Sequence, residues 1–165
     1  MKRILNVVEY NKASSLTRLL NYFLDLIILY AINYLLSIVA YFLYEVTSVE
    51  FFYLYCNGNI LWQIFIGNFN YFLYYFLMEN NLNGRTVAKY ITGTQVISTD
   101  GTKPTTRQII YRSLSRIVPF DALSFLGENG WHDKWSETRV INIKNYQAEI
   151  QAKREIEDLG KKEIA

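Results

Sequence analysis

Apolar residues in this chain are concentrated in two long runs rather than spread along its length. Leu19–Tyr44 reads LLNYFLDLIILYAINYLLSIVAYFLY and carries one charge, Asp25. Ile60–Met78, ILWQIFIGNFNYFLYYFLM, carries none. A bilayer core takes roughly 20 mostly apolar helical residues, so each run predicts a membrane-spanning helix, over about 19–44 and 60–78. The alternative is a core helix of a soluble protein. Two such runs would leave too little amphipathic chain to cover them. The first run also lacks a small-residue cleavage site and exceeds the roughly 7–15 apolar residues of a signal-peptide core.

After Glu79 the pattern changes. Asn80–Gly84 is turn-rich, 85–91 can form a short helix, and Thr94–Ser98 has strand character. Pro104 suits the opening of another helix. Within Thr106–Leu126, Ile110, Leu114, Ile117 and Val118 fall on one helical face, and Arg112 and Arg116 form a basic ridge beside it. Pro119 kinks or ends that helix. The segment is read as an amphipathic helix on the cytoplasmic membrane surface, with Arg107, Arg112 and Arg116 reaching anionic headgroups. Packing on the protein's own cytoplasmic elements is the alternative. Thr138–Ile143 is a second short strand, and a polar, helix-prone tail follows from Asn145.

The expected fold class is an all-α membrane protein: two transmembrane helices as a hairpin, an interfacial amphipathic helix, and a small cytoplasmic element with short β-strands. Residues 1–142 form the membrane domain, with 80–142 its cytoplasmic or interfacial part. Residues 143–165 form the polar tail.

Charge orients this hairpin. The chain has 17 basic and 15 acidic residues, a net charge of +2, yet no lysine or arginine lies between Arg18 and Arg85. The positive-inside rule then places both termini in the cytoplasm and the Glu45–Asn59 connection outside, in a multi-pass protein of the cell membrane. So small a net charge gives no support to nucleic-acid binding. One cysteine, Cys56, and one histidine, His132, leave no internal disulfide, Cys-rich zinc site or multi-histidine metal site. No catalytic constellation stands out, so neither an enzyme nor a cofactor is expected.

Asp25 has the strongest physical case for a special role. An acid at a helix centre costs about 2.5–3.5 kcal/mol on insertion scales, so it seeks a partner or water. Gln63, Gly67, Asn70 and Tyr74 make a polar line on the second run. Counting depth from the inner ends predicts that Asp25 faces Asn70, with Tyr74 nearer Arg18 and Gly67 permitting close helix approach. Arg18, Asp25 and Asn70 then form a polar clasp, or Asp25 changes protonation or binds a cation during transport. The other acids of the apolar region, Glu45, Glu50 and Glu79, have places in water or at an interface. His132 and Asp133 are adjacent, but zinc would lack further ligands. Asp133 is expected to cap a turn or pair with Arg112 or Arg116, with Trp131 and Trp135 anchoring the loop at the headgroups.

These residues together resemble the RDD family of integral membrane proteins. Arg18 and Asp25 match the arginine and aspartate of the family's first helix, and Asp133 is the best candidate for its last aspartate. Gly84-Arg85-Thr86-Val87-Ala88-Lys89 is similar to its Gly-x-Thr-x-x-Lys element. Arg112, Arg116, Pro119-Phe120-Asp121 and Thr138-Arg139-Val140 continue the pattern over about residues 14–142. Many relatives have a third apolar stretch where this chain has only Phe120–Leu126. The resemblance implies membrane location and suggests a small, oligomeric transporter or ion-translocating component. A non-transporting anchor or regulatory module for a partner membrane protein is the alternative.

Overall fold

The structure, a computed structural model, describes residues 5–118 and 130–164, with side chains to residue 159. It is mostly helical. Helix α1 (Asn6–Tyr10) precedes the long α2 (Ser15–Thr47), then α3 (Glu50–Asn57) and α4 (Ile60–Asn81). A cap of small elements follows: α5 (Val87–Thr92), β1 (Thr94–Ser98), α6 (Thr106–Ser115), α7 (Trp131–Trp135), β2 (Thr138–Asn142) and the tail helix α8 (Ile143–Ile164).

Both expected strands form, and they pair with each other. β1 and β2 are antiparallel, with Thr94 opposite Asn142 and Ser98 opposite Thr138. Val96 and Val140 bury one side against Ala13, while Ile97 and Ile141 bury the other against Val8. Period-two alternation thus lets a two-stranded ribbon hold α1 on one face and Ala13, in the segment leading into α2, on the other.

Ser14 opens α2, its hydroxyl accepting the Thr17 amide, and left-handed Ser48 ends it. Helix α2 has 33 residues, about 50 Å at 1.5 Å per residue, against a hydrocarbon core of roughly 30 Å. Among the described residues it is the one helix long and apolar enough to cross a membrane. Only 11% of its most apolar window is buried, and Ile27, Tyr30, Tyr34, Leu35, Phe42 and Val46 are exposed. A core helix would be covered, so this surface fits lipid. Of the two expected spans, α2 is the clear one: α4 is long enough, but Gln63, Gly67, Asn68, Asn70 and its tyrosines lower its hydropathy.

The Glu45–Asn59 connection is not simply a loop. α2 continues to Thr47, and α3 then folds back along it. The Tyr53 ring lies 5.3 Å from that of Tyr44, and Cys56 Sγ is 3.5 Å from the Ser37 carbonyl oxygen. The polar line of α4 points at these partners. Gln63 donates to the Cys56 carbonyl at 2.9 Å, and Asn70 donates to Asn33 Oδ1 at 2.6 Å and Tyr55 Oη at 2.8 Å. Gly67 does not mediate close approach, since a Cβ there would meet nothing within 4 Å.

Helix α6 stops at Ser115, ahead of Pro119, the residue expected to kink or end it. Its arginine ridge is placed differently from expectation. Ile110 and Leu114 are exposed, whereas Ile109, Arg112 and Arg116 are buried. Pro119–Asn129, including Asp121, lie outside the described residues. The Trp131–Trp135 segment is a short helix rather than a loop, with its two indoles stacked at 6.1 Å and largely exposed.

Gly84 lets the chain turn from α4 into the cap. Its φ is +79°, and a Cβ would lie 2.5 Å from the Val96 carbonyl oxygen. A left-handed L-residue costs roughly 1–2 kcal/mol, and this contact adds to it. Gly84→Ala is therefore expected to lower the thermal midpoint in detergent by at least that equivalent. An unchanged midpoint would contradict the turn's role.

Candidate functional site: a buried charge cluster

The cap meets the N-terminal part of α2 and the C-terminal part of α4 through charged and polar side chains, not through an apolar core. Arg18, Asn21 and Asp25 lie on one face of α2, all buried. Tyr74, Tyr75 and Glu79 lie on the facing part of α4, also buried. Elements α5, α6 and α7 close over them.

Asp25 accepts three hydrogen bonds: from Tyr74 Oη at 2.7 Å, from Thr86 Oγ1 at 2.7 Å and from the Ala88 amide at 3.3 Å. The expected partner, Asn70, is instead engaged with Asn33 and Tyr55. The depth count fails because α5 rises along α2 and brings Thr86 and Ala88 to the carboxylate. A turn below, Asn21 donates to Thr94 Oγ1 at 3.0 Å and accepts from Thr92 Oγ1 at 2.6 Å. Asp25 is thus tied to the cap rather than to a clasp in mid-membrane.

Glu79 is the hub that sequence reasoning missed. It is fully buried, not interfacial, and three cations converge on it. Lys89 Nζ is 2.6 Å from Oε1, Arg112 Nε 3.1 Å from Oε2, and Arg116 Nη2 3.2 Å from Oε1. The Arg116 guanidinium also lies 4.1 Å from the Tyr75 ring centroid. A lone acid at the end of an apolar run, with Lys89 and paired arginines downstream, was the available signal. Tyr74 and Tyr75 are both buried in this cluster.

Asp133 is the second hub. Arg112 Nη1 donates to its Oδ1, and Arg18 Nη1 lies 3.5 Å from its Oδ2. Arg112 thereby bridges Glu79 and Asp133, with a further bond to Thr138 Oγ1 at 2.9 Å. Pairing with Arg112 was one of the two pairings expected for Asp133. Arg18 was expected beside Asp25, and the structure gives it to Asp133. Arg112 and Arg116 turn inward to these carboxylates, which corrects the expectation that they reach headgroups. Arg107 stays exposed.

The Gly-x-Thr-x-x-Lys element now has a physical account. Gly84 makes the turn, Thr86 caps α5 while donating to Asp25, and Lys89 reaches Glu79. A cavity of about 10 Å³ remains beside Arg18, Asn21, Asp25, Lys89, Arg112 and His132, room for about one water molecule. Among the described residues no group of three or more His, Cys, Asp or Glu side chains could hold a metal.

His132 is buried at this cluster. Burial first, then the charges of Arg116, Arg112, Lys89 and Arg18, push its pKa well below the usual histidine value. Folded His132 therefore stays neutral where the unfolded chain takes up a proton, so the unfolded state binds more protons. Stability then falls as pH drops through the ordinary histidine value of about 6.5. The thermal midpoint is expected to fall between pH 7.5 and 5.5. His132→Gln should flatten that slope, because the chain has one histidine; an unaltered slope would refute the assignment.

A model of the RDD family matches residues 12–137, a span holding Arg18, Asp25, Glu79, Lys89, Arg112 and Asp133. No curated protein and no solved structure matches the chain. With most of its length matched, the chain belongs to the RDD family, and it is a membrane-associated protein of that family.

Proposed function

We propose that this protein is a two-span membrane module of the cell membrane, with both termini in the cytoplasm and the cap on the cytoplasmic side of the bilayer, serving as a non-transporting anchor or regulator for a partner membrane protein. The cap's grip on the inner helix ends is the observation that carries this reading. Asp25, the acid a transport pathway would use, spends its acceptors on Tyr74, Thr86 and the Ala88 amide. Glu79 and Asp133 are likewise committed to cations. Such a network favours one rigid arrangement over an alternating one. Both termini in the cytoplasm agree with the basic residues flanking, and absent between, the two apolar runs. The second span is α4, where Gln63 and Asn70 satisfy their donors on α3 and α2 rather than on lipid.

Transport by an oligomer is the competing function, and one experiment separates them. Wild type and Asp25→Asn are reconstituted in proteoliposomes and assayed for proton- and cation-driven flux, alongside melting in detergent. The module reading expects no flux from either protein. It also expects a lower melting midpoint in the variant, because an amide turns donors toward the Thr86 and Ala88 donors. Flux in the wild type that vanishes in a well-folded variant would establish transport and overturn it.

A further inference from the structure

The cluster fixes the depth of α5 and α6, and with it what their outer faces touch. Both helices are pinned to Glu79 at the inner end of α4, α5 through Lys89 and α6 through Arg112. α5 is also held against Asp25. From Leu26 to Thr47, α2 still has 22 residues, about 33 Å, enough to cross a core of roughly 30 Å without its first three turns. The bilayer's cytoplasmic boundary then falls at Asp25, level with α5.

The outward faces of these two short helices carry the same pattern. On α5, Tyr90 and Ile91 are exposed, and the Arg85 guanidinium stacks 5.1 Å from the Tyr90 ring centroid. On α6, Tyr111 and Leu114 are exposed, and the Arg107 guanidinium lies 5.5 Å from the Tyr111 ring centroid. Neither arginine forms an ion pair with a described residue. The geometry points to a collar: α5 and α6 lie in the inner leaflet, burying Ile91 and Leu114 among acyl chains while Arg85 and Arg107 bind the phosphates of anionic phospholipids. An apolar residue beside an aromatic ring topped by a cation follows the polarity gradient of that interface. Paired guanidiniums supply charge that a zwitterionic surface does not demand.

This inference rests on the two-span reading, and the test separates the two. Nitroxide labels are placed by cysteine substitution at Ile27, Ile91, Leu114 and Glu155, in a Cys56→Ser background, in bilayers containing phosphatidylglycerol. Labels at 27, 91 and 114 are expected to favour collision with oxygen over a water-soluble nickel chelate, and the label at 155 the reverse. If 91 and 114 behave like 155 while 27 stays in lipid, the collar is wrong and the span survives. If 27 is also water-exposed, both fall. In detergent, phosphatidylglycerol is expected to raise the melting midpoint more than phosphatidylcholine does. Arg85→Gln with Arg107→Gln should at least halve that difference; losing the bond from Arg85 to Gln95 lowers both midpoints alike and cancels in it. A full difference in the double variant, or none in the wild type, overturns the phosphate contact.

Discussion

Glu79→Gln is expected to cost about 3–5 kcal/mol, the range for removing one member of a buried ion-paired group. Lys89, Arg112 and Arg116 all lie within 3.2 Å of this carboxylate. None can recover water, because all three are buried. Glutamine keeps the shape and one acceptor oxygen but removes the charge and adds a donor facing three donors. Against a typical stability of 5–15 kcal/mol, that loss is visible as a large drop in melting midpoint and in yield of monodisperse protein. Glu155→Gln on exposed α8 serves as the control and should change little. Adding Lys89→Met to Glu79→Gln should recover part of the loss, since one buried cation then disappears with the anion. A Glu79→Gln midpoint equal to that of Glu155→Gln would show that the cluster does not hold the cap.

Asp133→Asn is the second large effect, again about 3–5 kcal/mol. It leaves Arg112 and Arg18 facing a neutral amide at the other end of the cluster. The informative design is a double-mutant cycle with Arg112→Met and Asp133→Leu. Each single change strands a buried charge; the pair removes both. The double variant is therefore expected to be less destabilised than the sum of the singles by more than about 1 kcal/mol. Strict additivity would mean that the two residues act independently despite their contact. Because Arg112 also touches Glu79, coupling between Asp133 and Glu79 is expected to be smaller but present.

Several features were legible from residue order alone. The α2 span, both strands, the short helix after Gly84 and the polar tail helix all follow from periodicity and turn chemistry, which are local. The family was legible too, and a model of that family matches residues 12–137. The partners of the charged residues were not. Asp25, Glu79 and Asp133 look alike on paper: each is a carboxylate near apolar sequence, with cations at several separations. Depth counting assumed two straight helices facing each other. It had no means to foresee that α5 would climb alongside α2 and supply Thr86 and Ala88.

The buried arginines of α6 show the same limit from another side. Helical periodicity placed Arg112 and Arg116 on one ridge and Ile110 and Leu114 beside it. Convention then sent the arginines outward. In the fold, two buried carboxylates outweigh the cost of desolvating the guanidiniums, and the arginines turn inward.

By itself, then, the sequence determined what each segment prefers: an apolar helix long enough to cross a bilayer, and a cap of short elements. Those preferences depend on neighbours within a few residues. Only the tertiary structure decided which charge answers which. Asp25 belongs to the cap, Glu79 gathers three cations, and Arg112 joins Glu79 to Asp133. Such pairings are set by distances between elements far apart in the chain, and in a buried site those distances decide whether a charge is stable at all.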